Sequence, residues 1–189
     1  GVDVVEHDRD ERLDAGHAVT ADMMGTLGTV INALALSSEI SRQGVKSKVF
    51  SATTMPSVAD TYTAREAKAA LDDGYVVVLG GGTGNPFFTT DTAGALRAIE
   101  LDCDVLLKGT KVDGVYTEDP KKNPKARRYE TVSYDEVISR NLKVMDTAAF
   151  ALARDNGLPI LVYSLDDKEG LMGVLSGKVR STLVGNPKK

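Results

Sequence analysis

The stretch Tyr75-Val-Val-Val-Leu-Gly-Gly-Gly-Thr-Gly-Asn-Pro-Phe-Phe-Thr-Thr-Asp91 governs how the rest of the chain reads. Tyr75 to Leu79 is continuously apolar and valine-rich, the pattern of a strand covered on both faces and therefore of a parallel sheet. It runs straight into glycines at 80, 81, 82 and 84, and Thr90-Asp91 can then cap a helix to about Leu101. Two readings fit such a strand-to-helix loop. Glycines let backbone N–H groups approach an anion beside a helix N-terminus, which suits a phosphate; alternatively they only permit a tight turn. Neither Gly-x-Gly-x-x-Gly nor Gly-x-x-x-x-Gly-Lys-Ser/Thr fits, which argues against a dinucleotide fingerprint and a P-loop.

Working outward, apolar residues at spacings of three and four predict a helix from Asp22 to about Gln43, closed by Gly44, with Met23, Met24 and the other apolar positions in the core. A strand follows near Lys48 to Ala52. Thr63-Ala-Arg-Glu66 is a capping box whose helix stops at Asp73-Gly74. Beyond the glycine loop, Asp104 to Lys108 reads as a strand, and residues 109 to 130 as an irregular excursion rich in Asp-Gly and Asn-Pro turns. Ser133-Tyr-Asp-Glu136 is a second capping box. Asp146 to Asn156 reads as a helix, Ile160 to Ser164 as a strand, Lys168 to Leu175 as a short helix, and Thr182 to Val184 as a last strand. This alternation predicts an α/β fold, a mostly parallel sheet between helices, with ligands at the carboxyl ends of the strands.

The 189 residues suit a single domain. With 23 basic and 27 acidic residues there is no cationic excess to hold a nucleic-acid backbone. No apolar run approaches bilayer-spanning length, so a cytoplasmic protein with no membrane partner is expected. Cys103 has no partner for a disulfide and reads as a buried small hydrophobe; His7 and His17 lack ligand-spaced neighbours, so no protein-held metal is expected. The basic run from Lys121 to Arg128 reads as a solvated loop. On local pattern alone Asp22, Asp91 and Asp146 are each helix N-caps.

GTGNPFFTTD resembles the nucleotide-monophosphate loop of bacterial uridylate (UMP) kinases of the amino-acid-kinase superfamily. The run from Cys103 to Pro120, CDVLLKGTKVDGVYTEDP, is similar to their ATP-side loop, and Leu142 to Phe150 and Ala21 to Gly25 resemble two further family segments. The resemblance implies one amino-acid-kinase-like domain over 1 to 189, with UMP-side elements to about 101 and ATP-side elements from about 102. It implies UMP contacts from Asp22, Thr83, Gly84, Asn85, Pro86, Phe87, Phe88, Thr89 and Thr90. It places ATP at Thr110, Lys111, Tyr116 and Asp119, and gives catalytic roles to Asp91, Asp146 and Lys108. It further implies Mg²⁺ carried with ATP, GTP and UTP as effectors, and a homo-hexamer.

The chain departs from that family where an initial Lys-Leu-Ser-Gly-Glu strand and two glycine-rich phosphate elements are expected, and carries Ala18 and Val19 where an arginine is usual. The domain is therefore expected to be N-terminally incomplete. UMP kinase is the leading function. A catalytically silent nucleotide-binding module and another kinase of the superfamily are the alternatives.

Overall fold

The computed structural model describes residues 15–142 and 144–185. Residues 1–14, His7 among them, Lys143 and the tail beyond Gly185 lie outside them. The described residues fall into two compact units, one ending at Thr90 and the other starting at Asp91.

The first unit opens with a long helix, α1 (Ala15–Arg42), followed by β1 (Ser47–Ser51), β2 (Asp60–Thr61), α2 (Ala64–Asp72) and β3 (Val76–Gly80). The strands form a parallel sheet in the order β2-β1-β3, with Phe50 opposite Leu79 and Ser51 opposite Gly80. The capping box at α2 forms as read: the Thr63 hydroxyl accepts the Glu66 N–H at 3.2 Å and donates to the Glu66 carboxylate at 3.2 Å. Val30, Ala33, Phe50, Ala67, Ala70 and Val78 are buried, and α1 packs on β1 and β3.

Two expectations change in α1. It starts at Ala15, so Asp22 is an interior helical residue and not an N-cap. The Met24, Leu27 and Ile31 side chains, expected in the core, are exposed, because the helix is apolar around much of its circumference and the sheet covers one side of it. Asp22 is also the only charged residue between His17 and Ser38, so by length and composition this helix matches a membrane-crossing one, with a mean hydropathy of 1.3. That corrects the expectation that no such run exists. Its packing on β1 and β3 is that of a helix covering a sheet.

The second unit contains α3 (Thr90–Glu100), whose first residue closes the preceding unit, then β4 (Leu106–Thr110), β5 (Thr131–Val132), α4 (Tyr134–Ser139), α5 (Thr147–Asp155), β6 (Ile160–Ser164), α6 (Gly170–Leu175) and β7 (Ser181–Val184). Its sheet runs β4-β6-β7-β5. The β4–β6 and β5–β7 pairs are parallel and β6–β7 is antiparallel. The fold is thus α/β and parallel-rich as expected, in two sheets with one antiparallel pair. The core gathers Val115, Val132, Tyr134, Val137, Phe150, Ile160, Val162 and Val184, and burial of each large side chain is worth about 1.5–3 kcal/mol. The excursion after β4 is less irregular than expected: Thr117 N–H bonds to the Arg127 carbonyl, Tyr129 N–H to that of Val115, and Tyr116 bridges Arg128. Cys103 is exposed, correcting the buried reading, because α3 ends in a tight exit turn at Asp102 (φ 54°) and the strand begins only at Leu106. Partial burial and the neighbouring Asp104 and Asp102 push its thiol pKa up.

Candidate functional site

The glycine loop of the first unit is built by close approach. The Gly80 Cα faces α1 so tightly that a Cβ there would lie 3.0 Å from Val30 Cα. Gly81 has φ 82°, and a Cβ on it would meet the Ala52 backbone nitrogen at 2.9 Å. Its N–H donates to the Thr29 hydroxyl at 2.8 Å, while the Gly80 carbonyl accepts from Ala52 N–H at 3.0 Å. Gly84 N–H turns back to the Gly81 carbonyl at 2.9 Å, and Asn85 N–H to the Thr83 hydroxyl at 3.2 Å. Several loop amides therefore already have partners within the chain. Two of the glycines are required by neighbouring backbone as much as by any ligand, and Thr29 is a buttress that the sequence pattern did not single out.

Phe87 adopts φ 69°, and its N–H donates to Asp22 Oδ2 at 2.6 Å. Asp22 thus reaches out of the middle of α1 to hold the loop. Asn85, Phe87, Phe88, Thr89 and Thr90 are exposed, while Thr83, Gly84 and Pro86 are half-buried, so this segment offers small hydroxyls, one amide and two rings to solvent. Such a surface suits the mixed polarity of a nucleotide.

The second unit brings three of the expected catalytic residues together. Lys108 on β4 pairs with Asp91 in the first turn of α3; both are largely shielded, at 27% and 18% exposure. The second Asp91 oxygen accepts the backbone N–H of Asp146 at 3.3 Å. Asp146 caps α5 as read, accepting the Ala149 N–H at 2.7 Å, and its carboxylate also takes the Thr92 hydroxyl at 3.1 and 3.2 Å. Asp91 does not cap: α3 begins one residue earlier, which frees its side chain for the lysine. The result is one cation held at a fixed place by Asp91, whose other oxygen is tied to the Asp146 backbone, an arrangement able to offset developing negative charge.

On the excursion, the Tyr116 hydroxyl donates to Asp113 Oδ1 at 2.7 Å, and that bond, with partial burial, raises the phenol pKa. The Arg128 guanidinium lies 4.0 Å from Asp113 and donates to the Ser181 carbonyl, so it braces β7 where a solvated residue was expected. The buried Thr182 hydroxyl accepts Val115 N–H at 2.9 Å. Asp119 accepts Lys121 N–H at 2.9 Å and closes a turn. Thr110 ends β4, with its carbonyl accepting Leu165 N–H at 2.8 Å, and Lys111 follows it, exposed. Among the described residues no three acids, histidines or cysteines converge as a metal cage.

Residues 2–164 match the model of the amino acid kinase family. The chain is 53% identical over 171 residues to a uridylate kinase of Brucella anthropi, covering 90% of this chain and 71% of that one. It is 48% identical over 184 residues to a uridylate kinase of Bartonella henselae, covering 97% and 74%. Among solved structures it superposes on UMP kinase from Ureaplasma parvum with a TM-score of 0.86 at 37% identity, covering 89% of this chain and 72% of that one. On UMP kinase from Bacillus anthracis the TM-score is 0.85 at 39% identity, covering 90% and 71%. The tethered glycine loop and the Lys108–Asp91–Asp146 network therefore sit in a chain that belongs to the amino acid kinase family, on its uridylate kinase branch.

Proposed function

We propose that this kinase transfers the γ-phosphoryl group of MgATP to UMP, giving UDP and ADP, as a cytoplasmic step of pyrimidine nucleotide biosynthesis. The observation that carries the reading is the Lys108 ammonium fixed by Asp91, itself tied to Asp146: a preorganised cation costs no reorganisation when charge builds on the transferring group. UMP as acceptor is supported by relatives at about half identity that are uridylate kinases and by the polar, aromatic surface of residues 83 to 90. In this reading Asp22, holding the loop through one oxygen, accepts a ribose hydroxyl through its other, a role suited to an acid kept away from the substrate phosphate. Tyr116, oriented by Asp113, faces the donor nucleotide with Thr110, Lys111 and Asp119. Mg²⁺ enters on the ATP phosphates and offsets their charge. Association into a homo-oligomer gives the exposed Met24, Leu27 and Ile31 of α1 an apolar partner.

Calorimetric titration of the 189-residue chain with UMP, paired with a coupled assay for ADP after MgATP is added, tests the reading. UMP binding with UMP-dependent ADP release supports it, and Asp22→Ala then weakens UMP binding about tenfold through loss of a charged acceptor. Binding without turnover favours the silent module. No UMP binding removes the assignment of residues 83 to 90.

A further inference from the structure

Thr92 is a polar residue 8% exposed, in the first turn of α3, directly after Asp91. These consecutive residues grip one target in two ways. Asp91 takes the backbone N–H of Asp146 at 3.3 Å, and the Thr92 hydroxyl lies 3.2 Å from Asp146 Oδ1 and 3.1 Å from Oδ2. An ionised carboxylate only accepts, so the threonine is the donor, placed astride both oxygens. Capping of α5 needs one acceptor, and Oδ1 supplies it to Ala149 N–H at 2.7 Å. A donor spanning both oxygens does something further: it fixes the rotation of the carboxyl plane about the side chain.

Lys108 on β4 is turned to Asp91. On α4, which packs against α5, Asp135 engages Arg154 at 3.4 Å. The Asp146 carboxylate accepts the Ala149 N–H and the Thr92 hydroxyl beside the positive end of the α5 dipole.

We propose that Thr92 is a positioning residue of the phosphoryl-transfer site, setting the orientation of the Asp146 carboxylate through its hydroxyl. The proposal rests on the kinase reading above. Valine matches threonine in shape and lacks only the hydroxyl, so Thr92→Val isolates the bond, and Thr92→Ser restores it without the methyl group.

The test combines steady-state kinetics with a ¹³C NMR titration of the Asp146 carboxyl carbon in the parent chain and both variants. Thr92→Val is expected to lower kcat roughly 10- to 100-fold with both KM values within about threefold, the loss of one hydrogen bond to a charged group. Its Asp146 midpoint rises by about one pH unit, because a donor to the charged form is gone. Thr92→Ser returns both readouts to near the parent values. A Thr92→Val kcat within twofold of the parent, an unmoved midpoint, or a serine variant as impaired as the valine one overturns the proposal. If Thr92→Val does not fold, Thr92→Ala compared with Thr92→Ser carries the same contrast. If the parent releases no UMP-dependent ADP, the kinase reading falls, and the Thr92 assignment stands or falls on the carboxyl midpoints alone.

Discussion

Asp22 and Phe87 are 65 positions apart in sequence, yet the carboxylate of one accepts the backbone N–H of the other at 2.6 Å. Phe87 is the only aromatic among the described non-glycine residues with positive φ. A left-handed conformation costs an L-residue about 1–2 kcal/mol. A hydrogen bond to a charged group returns about 1.5–3 kcal/mol. The bond is therefore large enough to hold the turn, and the strain lies in the loop that offers the aromatic surface.

That balance predicts opposite effects of two substitutions at one position. Phe87 is 56% exposed, so little burial is lost with its ring. Phe87→Asn keeps or raises the Tm by up to a few degrees, since asparagine tolerates positive φ. Phe87→Ile lowers it, since β-branching makes this backbone a severe outlier. Thermal unfolding followed by circular dichroism distinguishes them, and equal shifts in both variants would show that the backbone carries no strain.

The lysine pair gives a kinetic prediction. Lys108→Met should reduce kcat on the order of a hundredfold, the usual loss for one preorganised charge at a transition state. Asp91→Asn keeps the shape but releases the lysine and weakens the grip on the Asp146 N–H. Its kcat falls by a similar factor, and combining the two substitutions costs much less than the product of the single effects. Additive losses in the coupled ADP assay would mean that the two residues act separately.

How far these residues were legible from sequence depended on the reach of the contact involved. Local signals read well: the Tyr75–Leu79 run became β3 one residue later, Thr63 and Ser133 cap as their spacing implied, and Asp146 caps α5. Asp22 was misplaced because the turns before it, Ala15 to Ala21, carry small and polar residues with no apolar period to announce a helix. Thr92 and Thr29 gave no signal at all, and Asp113 gave only that of an Asp-Gly turn. Each acts through a side chain brought near by tertiary packing, and periodicity records burial, not partnership. Only family likeness gave Asp91 and Lys108 catalytic roles, and their pairing emerged from the structure, since a strand lysine and a helix-start aspartate are individually ordinary.

Adjacent glycines offer an internal control. Gly81 and Gly82 both have positive φ, at 82° and 58°, but a Cβ on Gly81 meets the Ala52 and Thr53 backbone while one on Gly82 meets nothing within 4 Å. Gly82→Ala should cost about 1 kcal/mol, the conformational penalty alone. Gly81→Ala should cost at least about 2 kcal/mol, because backbone must also move. Urea unfolding of the two variants measures the difference; equal costs would indicate that the loop yields freely at Ala52.

Alkaline pH probes the second core. Tyr134 is 2% exposed, its hydroxyl donates to the Leu158 carbonyl, and burial pushes its pKa up to about 12. The folded state therefore holds this proton more tightly than the unfolded chain, where tyrosine titrates near pH 10. The stabilisation is complete below about pH 10 and is lost as pH rises toward 12. At pH 8 Tyr134→Phe should be about 1 kcal/mol less stable than the parent, for the missing hydrogen bond. By pH 11 the order should reverse, since phenylalanine has no proton to lose. Parallel urea curves at the two pH values provide the check, and a gap that stays constant would place the phenol in contact with water.

The place of β7 in its sheet bears on how the molecule is made. Residues 181–184 lie between β6 and β5, and β7 is the strand that joins β5 to the rest. On a translating ribosome β4 and β6 can pair once residue 164 has emerged, but Thr131 and Val132 wait for Leu183 and Val184. Until then the β6 edge stays open to any other strand nearby. Slow emergence of residues 165–184 is thus the interval in which a nascent chain most needs a chaperone's cover.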